Sequence, residues 1–401
     1  MNLLNFHVHA IALPPRLNAI IILVALGRIG AGVVGMRIAY VLTSLGMGGA
    51  ERQVVAVAER MKARGHAVAL ILLRQRQPEE WPATVDLVCL EMRKTPVSFL
   101  AGLLRARRWL RDFRPELIHS HVFPANMAAR LLKMLYPEAT VLSTVHNVYE
   151  GSWLRMLAYR LSDGLSRRTA FVSQAAADRY ARLKAVPARK ASVLTNGIDL
   201  AEFAPSVERR AQLRARMGVG EEFVWLAAGR IVPAKDFPNL LRAFARVRGE
   251  IPEARLWVAG EAFGAGAEAI QAQAAELGAS VRWLGLRRDM PALLDAADGF
   301  VLASAWEGMP LVAGEAMAME KPVAATDVGG VRELVGEAGV MVPAKNPEAL
   351  ADAMLEMMRR TDEERGALGR AARERITARF SIDAKADEWE ALYRGVLEAK
   401  R

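Results

Sequence analysis

Residues 37–73 read RIAYVLTSLGMGGAERQVVAVAERMKARGHAVALILL. The apolar run Arg37–Leu42 gives way to a glycine-rich turn, Gly46–Gly49, and then to a helical pattern from Ala50 to Arg64. Gly65 stops that pattern, and a second apolar run follows at Ala67–Leu73. Strand, turn, helix, stop and strand in this order predict a βαβ unit, the opening of a parallel sheet covered by helices. The alternation continues, with strands expected at Leu117–Ser120, Thr140–Val145 and Thr169–Val172. Helices are expected at Leu100–Asp112, at Ala125–Leu135 and from Gln174. Apolar strands alternating with helical stretches are what a parallel sheet covered on both faces requires.

The pattern breaks at Thr195-Asn196-Gly197-Ile198-Asp199 and starts again. Strands are expected at Phe223–Ala228, Arg255–Ala259, Val281–Leu284, Phe300–Ala303, Pro322–Ala325 and Gly339–Val342. Helices at Phe237–Gly249 and Ala267–Leu277 fall among them. A chain of 401 residues exceeds the roughly 250–300 residues at which a single core stops growing, so two domains are expected on length alone. The fold class is α/β, with Rossmann-like domains at 36–205 and 206–380. A terminal segment, 381–401, has Ile382, Ala386, Trp389, Tyr393 and Val396 at helical spacing behind a Ser381 cap. Residues 1–35 carry an apolar stretch, Ala19–Gly27, that Arg28 cuts short of a membrane span. They are expected to be an appendage, with a membrane anchor as the other reading.

The chain is 52% hydrophobic and 24% charged, which excludes a largely disordered protein. No short-period repeat is present, which excludes a solenoid. The single cysteine, Cys89, lies in the apolar stretch Val85–Leu90 and is expected to be core; one cysteine makes no internal disulfide and favours a reducing, cytoplasmic setting. Charge is uneven: residues 1–205 hold 27 Lys and Arg against 14 Asp and Glu, whereas 206–401 hold 27 against 30. An anionic partner is therefore expected on the N-terminal half. A basic amphipathic segment with Arg105, Arg107, Arg108 and Arg111 beside Trp109, Leu110 and Phe113 points to an anionic membrane surface at the inner face of the cytoplasmic membrane. An ordinary arginine-rich exposed helix is the other reading of the same residues. Nucleic acid is not expected, since no recognition module accompanies the charge.

In open parallel sheets, ligands bind beyond the carboxyl ends of the strands, so the loops after strands are where chemistry is sought. Gly46-Met47-Gly48-Gly49-Ala50-Glu51 turns directly into a helix. Glycines let a phosphate approach the free N–H groups at such a helix start. The dinucleotide fingerprint is not met, because Glu51 stands where a third small residue belongs and Arg74 ends the second strand. A nicotinamide-dependent oxidoreductase is thereby disfavoured. In the second domain Arg230 and Lys235 follow the first strand and suit a diphosphate. Farther on, Ser304-Ala305-Trp306-Glu307-Gly308-Met309-Pro310-Leu311-Val312-Ala313-Gly314-Glu315 carries a loop carboxylate, Glu307, and a second, Glu315, in the first turns of a helix that Pro310 would open. Glu315 is placed to accept from a ribose diol. Glu307 and the N–H groups of Met309 to Val312 are placed for sugar and diphosphate. His119 and His121 alternate along a strand, leaving cleft lining, structural hydrogen bonding or a metal pair open, while His146 alone reads as structural.

Taken in order, Gly48-Gly49-Ala50-Glu51-Arg52, His119-Ser120-His121, His146, Asn196-Gly197-Ile198-Asp199, Gly229-Arg230 with Lys235, Glu307 with Glu315, and Gly329-Gly330 with Glu333 resemble glycosyltransferase family 4, retaining enzymes of the GT-B architecture, in its bacterial cell-envelope polysaccharide branch. The resemblance runs from about Met36 to Arg401. It implies two Rossmann-like domains facing across a cleft, with the terminal helix crossing back to the first, and a nucleotide diphosphate sugar, UDP-linked by preference, as donor. Gly48, Gly49, Arg230, Lys235, Met309, Pro310, Leu311, Val312 and Glu315 would hold that donor. Glu307 would lie on the transferred sugar and His146 near the reacting centre. The acceptor would be a saccharide or lipid-linked saccharide, and neither cofactor nor metal is expected, no Asp-x-Asp being present. A non-catalytic sugar-nucleotide-binding protein is the remaining alternative. Two positions depart from the family: the longer loop Gly260-Glu261-Ala262-Phe263-Gly264-Ala265-Gly266, where many members have Gly-x-Gly-Pro, and Asp236, where many have Gly.

Overall fold

The computed structural model describes residues 35–46, 48–74, 84–261 and 267–399. The expected appendage, but for Gly35, and the core of the 260–266 loop lie outside the described residues. From Met36 onward the chain forms one unit built on two sheets. The first has β1 (Arg37–Leu42), β2 (Ala67–Leu72), β3 (Asp86–Cys89), β4 (Leu117–His121), β5 (Thr140–Val145), β6 (Arg168–Phe171) and β7 (Ala191–Val193) in the order β3-β2-β1-β4-β5-β6-β7. The second has β8 (Val224–Ala228), β9 (Arg255–Ala259), β10 (Val281–Gly285), β11 (Gly299–Leu302), β12 (Val323–Thr326) and β13 (Val340–Val342) in the order β10-β9-β8-β11-β12-β13. Every pairing is parallel. The central strands β4, β5, β8 and β11 are buried at every residue, as two covered faces require.

Strand order reverses between β1 and β4 in one sheet and between β8 and β11 in the other. A crevice opens at such a reversal because the crossover helices on its two sides lie on opposite faces. The carboxyl ends of these four strands carry His121, at the end of β4, and Gly48, Arg230 and Glu307 in the loops after β1, β8 and β11.

The chain crosses between the domains twice, side by side. Ile198 N–H donates to the Phe380 carbonyl at 2.7 Å, and Ile382 N–H donates to the Ile198 carbonyl at 2.9 Å. The second crossing leads into the helix Ile382–Glu398, capped by Ser381, whose hydroxyl accepts from the Ala384 N–H. Its Ile382, Ala386, Trp389, Tyr393 and Val396 join the buried cluster of Ile38, Tyr40, Val54 and Val57 in the N-terminal domain. The Tyr393 hydroxyl meets that of Tyr40 at 3.1 Å and His119 Nδ1 at 2.8 Å. Trp389→Ala should lower stability by about 3–5 kcal/mol, the usual cost of emptying a buried aromatic site. A urea midpoint within error of wild type would mean that the terminal helix adds nothing to that core.

Two local readings need correction. Asp86–Cys89 is a short edge strand, half-buried, so Cys89 is at the margin of the core and not within it. Partial burial still pushes its thiol up. The helix expected at Leu100 begins at Pro96, because the Thr95 hydroxyl accepts from the Ser98 N–H and Pro96 supplies a preset φ at the first position.

Candidate active site

On the N-terminal side, Gly48 is the extended cap of the helix Gly49–Ala63. A Cβ there would fall 2.2 Å from Glu51 Oε2, and one on Gly49 would fall 3.3 Å from Leu311 Cδ1. The first glycine therefore makes room for Glu51's own carboxylate at the helix start. The second lets the turn close on the opposite domain.

The three histidines separate. His119 is fully buried with both ring nitrogens engaged, Nδ1 with Tyr393 and Nε2 with the Thr144 hydroxyl at 2.7 Å, so it is a structural hydrogen-bonding group. His121 Nδ1 lies 3.0 Å from His146 Nε2. Burial lowers both pKa values, His146 to about 4, so at neutral pH this is a pair of uncharged imidazoles, one donating to the other. His121 Nε2 is buried without a partner. Among the described residues no group of three His, Cys, Asp or Glu is arranged to hold a metal ion.

On the C-terminal side, β8 is followed by Gly229, where φ is +146°, and a Cβ on Gly260 would lie 1.9 Å from the Gly229 carbonyl oxygen. The loops after β8 and β9 thus touch backbone to backbone. Arg230 is exposed. Lys235 ends a single helical turn, and Asp236 follows at φ +45°, a left-handed position that glycine fills freely and Asp tolerates better than most residues. The departure from the family at 236 therefore keeps the backbone path. Lys235 Nζ meets Glu307 Oε1 at 2.6 Å, and the Ser304 hydroxyl donates to the same oxygen at 2.7 Å. The sequence reading gave these charges separate tasks; here they are one pair.

Glu315 is buried, and its Oε1 is paired across the cleft with Arg52 Nη2 at 2.9 Å. Its Oε2 is buried without a partner. Burial raises the Glu315 pKa against the opposing pull of Arg52. An open pocket of about 310 Å³ spans the domains here, with Gly46, Glu51, Arg52, Leu311 and Glu315 in its walls. Pro310 caps the helix Leu311–Ala318 and is not its first residue. Proline has no N–H, so the donors available at this end are Met309, Leu311 and Val312.

The domains meet at glycines. A Cβ on Gly308 would fall 2.0 Å from the His146 carbonyl oxygen, one on Gly330 2.6 Å from Ser173 Cβ, and one on Gly329 3.2 Å from Val148 Cγ1. Glu333 reaches across and accepts from the N–H groups of Gln174 and Ala175 at 2.8 and 2.9 Å. It caps the helix Gln174–Arg182 of the other domain, a role its sequence position did not announce. Arg52 was likewise visible only as a motif member.

Of the four arginines of the basic helix, Arg105 is exposed and Arg107 half-buried, and both are engaged at carbonyls. Arg105 donates to the Leu90 carbonyl and Arg107 Nε to that of Leu135 at 2.9 Å, because both lie over neighbouring chain ends that leave carbonyls open. Arg108 and Arg111 are exposed. No helix among the described residues is long and apolar enough to cross a membrane.

Two facing doubly wound domains, with paired charges and glycine contacts at their strand ends, define a GT-B architecture. Residues 47–202 match the model described as Glycosyltransferase Family 4, and residues 222–360 match that described as Glycosyl transferases group 1. The chain belongs to glycosyltransferase family 4 and is a glycosyltransferase, which removes the oxidoreductase reading. It is similar to a D-inositol 3-phosphate glycosyltransferase of Segniliparus rotundus, 33% identical over 75% of this chain and 70% of the relative. A GDP-mannose-dependent alpha-(1-6)-phosphatidylinositol monomannoside mannosyltransferase of Mycobacterium tuberculosis is 30% identical over 67% of this chain and 74% of its own length. Among solved structures, Anabaena Alr3699/HepE in complex with UDP and glucose superimposes with a TM-score of 0.78, at 20% identity, over 90% of this chain and 100% of that one.

Proposed function

We propose that this protein moves a sugar, with retention, from a UDP-linked donor to a saccharide or lipid-linked saccharide acceptor in cell-envelope polysaccharide or lipopolysaccharide synthesis. It would work in the cytoplasm at the inner face of the membrane. The observation that carries the donor reading is the unpartnered, buried Oε2 of Glu315 at the cleft, an acceptor waiting for a hydroxyl such as those of a ribose. Lys235, joined by Arg230, would meet the diphosphate, and Glu307, fixed on one oxygen by Lys235 and Ser304, would address the transferred sugar with the other. Met309, Leu311 and Val312 offer N–H groups to the phosphates, and Gly48 and Gly49 would serve the donor by letting the facing helix start close on Leu311 beside them. The acceptor hydroxyl would attack from the face the diphosphate leaves, which needs no protein nucleophile. His146, uncharged, can accept or donate a hydrogen bond there but is not a cation.

The Anabaena structure holds UDP, while the mycobacterial relative's name specifies GDP-mannose and a lipid acceptor. A panel of UDP-, GDP- and ADP-sugars scored by thermal stabilisation therefore tests the donor. A ligand at 100-fold its dissociation constant adds about 2.7 kcal/mol. Stabilisation by a UDP-sugar above the others is expected; no response to any nucleotide sugar would defeat the reading.

The absence of Asp-x-Asp from the sequence motivates a second expectation, that transfer proceeds undiminished in excess chelator. Loss of activity that a divalent ion restores would contradict it.

A further inference from the structure

Among the described residues, ten of the fourteen large hydrophobic side chains left exposed lie between Val97 and Leu161, all of them in the N-terminal domain. Its most uncovered element is the helix Trp153–Leu161. Only Tyr159 is buried on it, whereas Trp153, Leu154 and Leu161 are 72%, 56% and 78% exposed, and Leu157 is exposed between them. Leu154, Leu157 and Leu161 share one helix face at spacings of three and four. Four large apolar groups in water on nine residues are not explained by the packing of the domain, and such patches mark contact sites.

Behind this helix is an open pocket of about 340 Å³, walled by Tyr149, Trp153, Leu157, Arg160, Arg179 and Leu183. Its lining also carries Ser152, two cations and one carboxylate, Glu150, whose Oε2 accepts from the Tyr159 hydroxyl at 3.1 Å. The Arg179 guanidinium lies over the Tyr149 ring, 5.6 Å from its centroid, and Arg160 is exposed. The inner end adjoins the domain junction. Val148, in its lining, has Cγ1 3.2 Å from where a Cβ on Gly329 would stand, and Tyr149 meets Trp306 edge-on at 6.0 Å. Trp306 precedes Glu307, so the pocket runs from an apolar outer face to the loop that bears the site.

We propose that this pocket loads the acceptor, and that the acceptor is a membrane-resident amphiphile with a phosphate-bearing headgroup. Its chain lies along Trp153, Leu154, Leu157 and Leu161, its phosphate between Arg160 and Arg179, and its sugar end toward Trp306 and Glu307. The proposal rests on the lipid-linked acceptor reading above and moves the membrane-facing element from the Arg105–Arg111 segment to the 153–161 helix.

The full chain is titrated with decyl phosphate below its micellar concentration, read by tryptophan fluorescence, with decyl maltoside and inorganic phosphate as parallel probes. Decyl phosphate should bind at least about ten-fold tighter than either. Arg160→Gln should abolish that advantage and Leu157→Ser should weaken both decyl compounds, while Trp153→Phe removes most of the signal. Equal affinity for decyl phosphate and decyl maltoside would show an apolar patch alone, and equal affinity for decyl phosphate and inorganic phosphate an anion site alone. Either result, or an unaltered Arg160→Gln, overturns the proposal. Stabilisation by nucleotide sugar, measured on the same variants, should be unchanged. Its absence from wild type would defeat the donor reading and leave the amphiphile result standing.

Discussion

Lys235→Ala should slow sugar transfer at least ~100-fold at saturating donor, within the range measured when a single group stabilising developing charge is removed. Lys235 sits 2.6 Å from Glu307, so its loss acts twice: it withdraws a cation from the leaving diphosphate and frees the carboxylate to swing. The fold should be unaffected, because Ser304 still donates to Glu307 and the lysine is part of no core cluster. An unchanged thermal midpoint with near-normal turnover would remove Lys235 from the site. Lys235→Arg is informative beside it. The longer planar head keeps the charge but cannot take the same position against Oε1, so recovery should be partial.

Glu315→Ala is expected to cost a similar factor, at least ~100-fold in kcat/KM. The physical case differs, because this carboxylate bridges the domains as well as offering Oε2 to the donor. Arg52, left without its partner, is 37% exposed on its side chain and water can take over, so the protein should fold. Glu315→Gln keeps an acceptor oxygen and loses the charge that holds Arg52. If the ribose contact dominates, the glutamine variant should retain much more donor affinity than the alanine variant. Equal loss in both would assign the effect to the Arg52 pair, and normal donor affinity in both would take Glu315 out of the donor site.

The alternation of apolar runs with helical stretches was enough to expose both sheets, since strands such as Thr140–Val145 are buried at every residue and cannot be mistaken for half-solvated ones. Asp86–Cys89 escaped although it lies in the apolar stretch Val85–Leu90, because an edge strand of four residues with an exposed Asp86 is too short for its spacing to tell it from a buried loop. The site residues were legible as types at strand ends. Their pairings were not: Lys235 with Glu307, Arg52 with Glu315 and Glu333 with the 174–182 helix are contacts between distant parts of the chain, and local spacing carries no information about them. His119 shows the same limit. Only the return of Tyr393 to its Nδ1 decides between a cleft group and a core one.

The two adjacent crossings at Ile198 and Ser381 make the C-terminal domain an insert within the first domain, entered and left through one doorway. An N-terminal fragment cut at the first crossing would lack the helix that completes its core and should aggregate, whereas one in which a short tether replaces 199–380 keeps every piece it needs. By the same topology, exchanging residues 199–380 for the corresponding part of a relative changes two neighbouring joints and no others. Under the proposed function, donor choice and acceptor choice would then recombine as cassettes, with the cross-domain glycine contacts and the Glu333 cap as the surfaces that must still match.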